Sequence, residues 1–284
     1  MVRMVTHQRQ PEMPDLRVVP AAELLLHEQH DAQRSEPLLR RLQTDGVLKN
    51  PPIVAPMRGE QRYVVLDGAN RVTALRALGI AHIAVQVVDY EDAELILDTW
   101  HHLVKGVGVE HFKGMLRAVQ GVTIELADAA HARAQLARRE ILAFVEYPTG
   151  DVWSLQASGD LHQRTQRLNE IVDIYKVRGR IFRANTDHLP SLLPSYDDVA
   201  ALVVFPRFAP AEIIDLARVG ACLPAGITRH LIPRRALRIN LPLTVLSGDS
   251  SLAEKSAWLA DWLKQKVGSK TVRYYHESTF LFDE

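Results

Sequence analysis

The most constraining feature of the sequence is a short β-branched segment that runs directly into Asp-Gly and then into a helical pattern. Residues Arg62–Leu66 (RYVVL) predict a buried strand, and Asp67 and Gly68 end it. The apolar positions of Ala69–Leu78 then predict a helix. Glycine at position 68 allows the backbone to turn sharply and to approach a ligand closely. The chain therefore contains the strand–turn–helix unit of an α/β protein.

Strand-like and helix-like patterns alternate along the rest of the chain, which predicts a mixed α/β fold. Helices are expected at 35–45, 110–119, 127–139, 161–175, 210–219 and 250–264. Further strands are expected at 18–19, 83–88, 94–103, 122–126, 141–146, 152–156, 201–205, 241–246 and 271–275. Residues 1–15 are interpreted as a loose tail, and a domain boundary is predicted near residue 106, separating 16–106 from 107–284.

Composition excludes several classes of protein. The 34 basic side chains balance 34 acidic ones, so the chain lacks the positive field of a general DNA-coating protein. An apolar share of 47% excludes disorder of the whole chain, and no apolar stretch reaches the length of a membrane helix. Cys222 is the single cysteine, which rules out an internal disulfide framework and suits the cytoplasm.

The start of the helix after Gly68 is a candidate phosphate site. Its first amides, at Ala69, Asn70 and Arg71, have no partners within the helix, and the helix dipole adds partial positive charge there. Arg71 would add a fixed-charge fork, and Asp67 can hold a Mg²⁺ ion that bridges the phosphates. In the alternative interpretation, Asp67 caps the helix and Arg71 is a solvated surface charge.

The block Val65–Leu75 (VLDGANRVTAL) resembles the ParB/sulfiredoxin fold, whose members bind nucleotide phosphates at a D-G-x-x-R turn. The resemblance implies a ParB/sulfiredoxin-like amino-terminal domain followed by a mixed α/β carboxy-terminal domain. Sulfiredoxins need cysteine in the turn, where this chain has Ala69. Chromosome-partitioning ParB proteins continue into a basic helix-turn-helix module, which the pattern of residues 110–284 does not match.

Three further segments resemble the free L-serine kinases related to SbnI. Leu26-His27-Glu28 stands where those kinases place a catalytic glutamate, and Asp98–His102 (DTWHH) resembles their segment beside the substrate. Residues 224–238 resemble their substrate-closing loop. The resemblance implies a catalytic Glu28, which would accept the hydroxyl proton, together with Asp67. It also implies substrate contacts at Trp100, His101, His102, Thr228, Arg229 and His230.

Each of these positions also has a structural interpretation. Glu28 can be a surface glutamate in a loop. On a strand over 94–103, Trp100 and His102 share one face and His101 takes the other, so the aromatic ring and a histidine can equally belong to the core. The arginines among 229–238 can be solvated surface charges or can contact nucleic acid.

The resemblance implies a kinase that converts free L-serine to O-phospho-L-serine with Mg²⁺ and a nucleotide donor. ATP and ADP stay open, because a backbone cradle binds any diphosphate. The alternatives are a DNA-binding regulator switched by nucleotide and a nucleotide sensor without catalysis. No membrane partner is expected.

Overall fold

The computed structural model describes residues 13–30 and 32–275, so most of the expected tail at 1–15 lies outside the described residues. The strands are β1 (Asp15–Pro20), β2 (Leu24–Leu26), β3 (Val47–Leu48), β4 (Ile53–Pro56), β5 (Tyr63–Asp67), β6 (His82–Val87), β7 (Ile96–Thr99), β8 (His101–Lys105), β9 (Thr123–Ala127), β10 (Ala143–Glu146), β11 (Val152–Gln156), β12 (Arg180–Ala184), β13 (Val199–Val204), β14 (Thr228–Leu231) and β15 (Leu241–Pro242). The helices are α1 (Ala32–Asp45), α2 (Ala69–Ala77), α3 (Val109–Arg117), α4 (Ala129–Ala137), α5 (Leu161–Lys176), α6 (Pro210–Arg218), α7 (Leu243–Ser247) and α8 (Leu252–Gly268). The mixed α/β class is confirmed.

The strands form two main sheets. The first has the order β1-β6-β4-β5-β2, with β2 parallel to β5 and β4 parallel to β6. The second has the order β12-β8-β13-β10-β11-β9 and is antiparallel throughout. Two short ribbons, β14-β7 and β15-β3, pair strands from the last quarter of the chain with strands from the first hundred residues.

Successive side chains of β4 and β5 point to opposite faces, so the two faces of the first sheet pack into two different cores. Ile53 and Leu66 join a large core shared with the second sheet. Val54 and Val65, on the opposite face, are buried beneath α1, α2 and α8. A sheet buried on both faces explains why these strands carry continuous apolar runs. The boundary expected near residue 106 remains a prediction.

Two of the expected strands are wrong. Only Leu241 and Pro242 of the segment 241–246 are extended, and the rest begins α7. Proline has no N–H to give to a sheet ladder, while its fixed φ suits the residue before a helix. The expected closing strand at 271–275 is not formed, and all five of its residues are exposed. An extended segment without a neighbouring strand gains neither ladder hydrogen bonds nor burial.

The expected strand at 94–103 is divided. The chain leaves β7 after Thr99, turns at Trp100 and enters β8, which lies inside the second sheet. Trp100 therefore stands at the passage between the two parts of the fold. Within residues 13–30 and 32–275, no helix has both the length and the apolar character needed to cross a bilayer.

Candidate functional site

A cleft of about 970 Å³ opens at one edge of the first sheet and is closed by residues from the last quarter of the chain. Most residues that the sequence assigned to a site line this cleft. They are Glu28, Asp67, Gly68, Ala69, Asn70, Arg71, Trp100, Thr228, Arg229 and His230. The structure therefore brings together segments that are about 200 positions apart in the sequence.

The parallel pairing of β2 with β5 explains how the first two segments meet. Leu26 lies opposite Val65, so Glu28 and Asp67 both follow at the same, carboxyl end of the two strands. Ligands of sheets that contain parallel strands bind characteristically beyond these carboxyl ends. The acid and the Asp-Gly turn thus face one cleft because of strand direction, and not because of their spacing in the chain.

The turn itself depends on glycine. Gly68 precedes α2 with a φ of +101°, in the left-handed region that side chains disfavour. The first backbone bond of the helix runs from the N–H of Val72 to the carbonyl of Gly68, at 2.9 Å. Gly68 occupies the cap position, and the hydrogen bonds of the Asp67 carboxylate among the described residues go to Arg71 and Arg235 and not to the helix start. The alternative in which Asp67 is the cap is therefore wrong, and the amide-rich helix start faces the cleft.

Arg71 folds back over the turn that carries it. Its Nη1 donates to the carbonyls of Asn50 and Pro51, both at 3.0 Å, and its Nη2 donates to Asp67 at 3.0 Å. A Cβ added at Gly68 would lie 2.9 Å from Nε of Arg71. Arg71 therefore braces the turn against the loop before β4, and a direct phosphate contact by its guanidinium remains a prediction.

Asp67 is held by two arginines. Its Oδ2 accepts from Arg71 and, at 2.8 Å, from Nη1 of Arg235 in the carboxy-terminal segment. Burial opposes ionisation of this carboxyl, but the two guanidinium charges outweigh it and hold its pKa below the usual value. The sequence analysis did not single out Arg235. Its only local signal was its membership of a basic cluster.

The described side chains fit a Mg²⁺ ion that is bound by one carboxylate and takes its other ligands from substrate phosphates and water. No group of three His, Cys, Asp or Glu side chains in the described part of the chain can hold a metal ion. Magnesium in phosphoryl-transfer enzymes is commonly bound by one or two carboxylates, with substrate phosphates and water as its other ligands. Asp67, at the candidate phosphate turn, meets that lesser requirement.

Glu28 is tied to the closing segment by its carboxylate. Oε2 accepts from the backbone N–H of Gly226 at 2.9 Å, and Oε1 accepts from that of Thr228 at 2.6 Å. The Thr228 hydroxyl also contacts Oε1. Backbone bonds between His27 or Gln29 and Leu223 hold the two chain segments side by side. The interpretation of Glu28 as a free surface glutamate does not match these contacts.

His27 is a site residue that the sequence analysis quoted but did not assign. Its ring is 3% exposed, with Nδ1 at 2.6 Å from the carbonyl of Val65 and Nε2 at 2.8 Å from Oγ1 of Thr228. Burial lowers the pKa of this imidazole. Its one sequence signal was its position beside Glu28.

Trp100 and Arg229 form one wall of the cleft. The Arg229 guanidinium lies 4.3 Å from the centre of the Trp100 ring, and its Nη1 is 3.8 Å from Asp98. The backbone N–H of Trp100 donates to the carbonyl of Ile227 at 2.9 Å, which attaches this wall to the closing segment. Stacking on an aromatic ring fixes an arginine while leaving its edge available for an anion.

His230 lies deeper in the cleft. Its Nε2 is 2.8 Å from the hydroxyl of Tyr90, and burial lowers its pKa to about 3, so the imidazole is neutral at pH 7. Its ring meets that of His27 edge-on, with 5.4 Å between the ring centres.

His101 and His102 do not line the cleft, and their expected contact with substrate remains a prediction. His102 is buried, with Nδ1 at 2.9 Å from the hydroxyl of Tyr175 and a pKa lowered by burial to about 3. His101 accepts from the N–H of Phe205 at 3.2 Å, and burial lowers its pKa to about 4. The faces expected for Trp100, His101 and His102 assumed a single strand over 94–103. That assumption fails because the chain passes at Trp100 from the β14-β7 ribbon into the second sheet.

The electrostatic character of the cleft is positive. Five arginines line it, against the carboxylates of Glu28, Asp67 and Glu94. These arginines are Arg34, Arg71, Arg183, Arg229 and Arg235. Arg234, by contrast, pairs at the edge of the cleft with Asp92 and Glu94, at 2.9 and 3.2 Å. A concave, arginine-rich site selects small ligands with carboxylate or phosphate groups.

The chain is similar to named L-serine kinases. No protein-family model matches the chain. The chain is similar to ATP-dependent L-serine kinase SbnI of Staphylococcus aureus, with 26% identity over 273 residues that cover 95% of this chain and 97% of the relative. It is also similar to ADP-dependent L-serine kinase SerK of Thermococcus kodakarensis, with 24% identity over 78% of this chain and 88% of the relative.

The fold is shared with solved structures. A free serine kinase in complex with AMP superimposes with a TM-score of 0.71 at 16% identity, over 85% of this chain and 97% of that chain. SbnI with a carboxy-terminal truncation, from Staphylococcus aureus, gives a TM-score of 0.67 at 23% identity, over 89% of this chain and 97% of that chain. The predicted resemblance is therefore confirmed: this chain is similar to the L-serine kinases over nearly its whole length and has the fold of the free serine kinase.

Proposed function

We propose that the protein is a kinase that transfers a phosphoryl group from a nucleotide to the hydroxyl of free L-serine, giving O-phospho-L-serine. The observation that carries the proposal is the cleft in which Glu28 and the Asp67–Arg71 turn face each other beneath an arginine-rich closing segment. The similarity to named L-serine kinases over 95% of the chain supports it.

The nucleotide is assigned to the turn. The backbone N–H groups of Gly68, Ala69, Asn70 and Arg71 would bind its phosphates at the start of α2. Asp67 would hold Mg²⁺, which neutralises phosphate charge when it is bound. Relatives named as ATP-dependent and as ADP-dependent enzymes both support a nucleoside di- or triphosphate donor.

The amino acid is assigned to the opposite wall. Arg229 is suited to the serine carboxylate, because a guanidinium binds carboxylates through two parallel N–H bonds. Trp100 would close the pocket beside it, with His230 at its floor and the hydroxyl of Thr228 directed to Glu28. Glu28 would accept the hydroxyl proton as the oxygen attacks phosphorus. Residues 16–106 would serve as the nucleotide domain and 107–284 as the substrate-closing domain, acting in the cytoplasm.

The direct test incubates the purified protein with L-serine, MgCl₂ and either ATP or ADP, and detects phosphoserine by ³¹P NMR. Glu28→Gln keeps the size of the side chain but removes the base, so we expect turnover to fall at least about 100-fold. Glu110→Gln is the matched control, because Glu110 is exposed on α3 and pairs only with Lys113 among the described contacts. Absence of phosphoserine with both nucleotides, or full activity in Glu28→Gln, would refute the proposal.

A further inference from the structure

The contacts on either side of the Thr228 hydroxyl carry an inference that rests on the proposed function and extends it. Oγ1 of Thr228 lies 2.8 Å from Nε2 of His27 and also contacts Oε1 of Glu28. The three side chains thus form a continuous line from the proposed base into the protein interior.

The hydrogen bond between His27 and Val65, at the inner end of this line, determines which nitrogen of the imidazole carries the hydrogen. Nδ1 of His27 is 2.6 Å from the carbonyl oxygen of Val65, which can only accept, so Nδ1 carries a hydrogen. His27 is 3% exposed, and its neutral form is favoured by burial. In that neutral form Nε2 has no hydrogen and is an acceptor that faces Thr228.

Thr228 then stands between two acceptors. Its hydroxyl has a single hydrogen, which can be donated either to Nε2 of His27 or to the ionised carboxylate of Glu28. Both contacts are satisfied together only when the line holds one more proton. That proton sits either on Glu28, which then donates to Thr228, or on Nε2 of His27, with Thr228 donating to Glu28.

We propose that Thr228 and His27 form a proton relay behind Glu28. As the serine oxygen bonds to phosphorus, its O–H bond breaks and the proton passes to Glu28. Glu28 then gives a proton to Oγ1 of Thr228, and Thr228 gives its own hydrogen to Nε2 of His27. The carboxylate of Glu28 is regenerated, His27 becomes an imidazolium, and the negative charge that leaves with the nucleotide balances the transfer.

The hydrogen bonds of the line favour uptake of this proton, whereas burial of His27 opposes it. The line is one proton short of satisfying its hydrogen bonds while Glu28 is ionised and His27 neutral, so the proton from serine completes it. The charged and titratable groups around His27 are Glu28, His230 and, behind them, Cys222, Tyr90, Asp67 and Arg235. Thr228 and His27 act through Glu28 and are positioning residues in this scheme.

The kinetic test separates a relay from a substrate contact. Thr228→Val keeps the shape of the side chain and the backbone N–H to Glu28, and removes only the hydroxyl. We expect kcat to fall about 10- to 100-fold with KM for serine and nucleotide within about twofold, and Thr228→Ser to recover most of kcat. We also expect the acidic limb of the kcat–pH profile to shift in Thr228→Val and His27→Gln, and to stay in place in Thr228→Ser.

Other outcomes would overturn the relay. A tenfold rise in KM for serine at unchanged kcat would make Thr228 a substrate contact. If Thr228→Ser does not recover the kcat lost in Thr228→Val, the role of Thr228 is structural. The same conclusion follows if the acidic limb of the kcat–pH profile does not move in Thr228→Val. Thr165→Val is the matched control, because Thr165 is a buried threonine of α5 whose hydroxyl has no hydrogen-bond partner among the described residues.

A second measurement does not depend on turnover. We expect ¹⁵N NMR of the His27 imidazole to show titration at a lower pH in Glu28→Gln than in the wild type, because the coupled carboxylate is gone. Identical titration in the two proteins would overturn the relay. The two failures are distinguishable: a wild type that forms no phosphoserine refutes the proposed function, whereas an active wild type with identical titrations in the two proteins refutes the relay alone.

Discussion

Gln86 provides the sharpest stability prediction, because this one buried side chain makes two hydrogen bonds to the closing segment. Gln86 lies on β6 and is 2% exposed. Its Nε2 donates to the carbonyl of Arg234 at 3.0 Å, and its Oε1 accepts from the N–H of Ala236 at 2.8 Å. Between these two bonds stands Arg235, which reaches Asp67. Gln86→Leu removes both bonds and keeps nearly the same volume.

The magnitude follows from the two bonds. Each hydrogen bond contributes about 1 kcal/mol net, so the closed state of the segment loses about 2 kcal/mol. Since 1.4 kcal/mol is a factor of ten, the open population rises about 30-fold. We expect hydrogen exchange at the Ala236 amide, followed by NMR, to accelerate by that factor. Amides of the β1–β6 ladder, such as that of Val85, should keep their rates.

The control variant is Gln156→Leu, which removes an exposed amide contact with Glu125 at the edge of the second sheet. It should leave the Ala236 amide unchanged. Exchange at Ala236 in Gln86→Leu within about threefold of the wild type would refute the reasoning. It would show that other contacts hold residues 232–240 in place.

Three further predictions concern the turn and the buried histidines. Gly68→Ala should raise the Kd for nucleotide in calorimetric titration, because the added Cβ would lie 2.9 Å from Arg71. Gly59→Ala is the control, because Gly59 also has a positive φ but has open space around it, and its Kd should not change. Equal Kd values for the two variants would contradict this account. Arg71→Lys should lower the free energy of unfolding in urea by about 2 kcal/mol, because one ammonium cannot replace a fork that reaches two carbonyls and Asp67, and an unchanged midpoint would count against the brace. His102 and His230 have folded pKa values of about 3, below the unfolded value, so the unfolded chain takes up protons first as the pH falls. The free energy of unfolding should therefore decrease below about pH 6.5, by about 1.4 kcal/mol per unit for each histidine, and His102→Phe should reduce that slope in urea titrations at pH 6.5 and 5.

Local pattern was sufficient where neighbouring residues decide the structure. The strand over Arg62–Leu66, the sharp turn at Gly68 and the helix that follows were all predicted, because each depends on residues within a few positions. The same reasoning failed at 241–246. Residues Leu243–Leu246 form a short helix after Pro242, and Leu243 and Leu246 are its buried side chains. Apolar runs of this length do not by themselves distinguish a strand from a buried helical turn.

Long-range contacts were beyond prediction from local pattern. The bond between Arg235 and Asp67 and the pairing of β14 with β7 join positions more than 120 residues apart. Resemblance placed Glu28 and residues 224–238 in one site, but it did not indicate His27 as the partner of Thr228. The position of His101 and His102 outside the cleft was also not predicted, because it depends on the change of sheet at Trp100.

The late helix α8 has a consequence for how the molecule is made. Leu259 of α8 is buried in the same core as Val18 and Val19 of β1, and β15 completes a ribbon with β3. During synthesis, the first hundred residues leave the ribosome long before these partners exist. Until then the first sheet keeps an uncovered apolar face, so interrupted translation would yield a fragment that chaperones bind and proteases remove. The turn at Gly68 would reach its final surroundings only after about 260 residues have emerged.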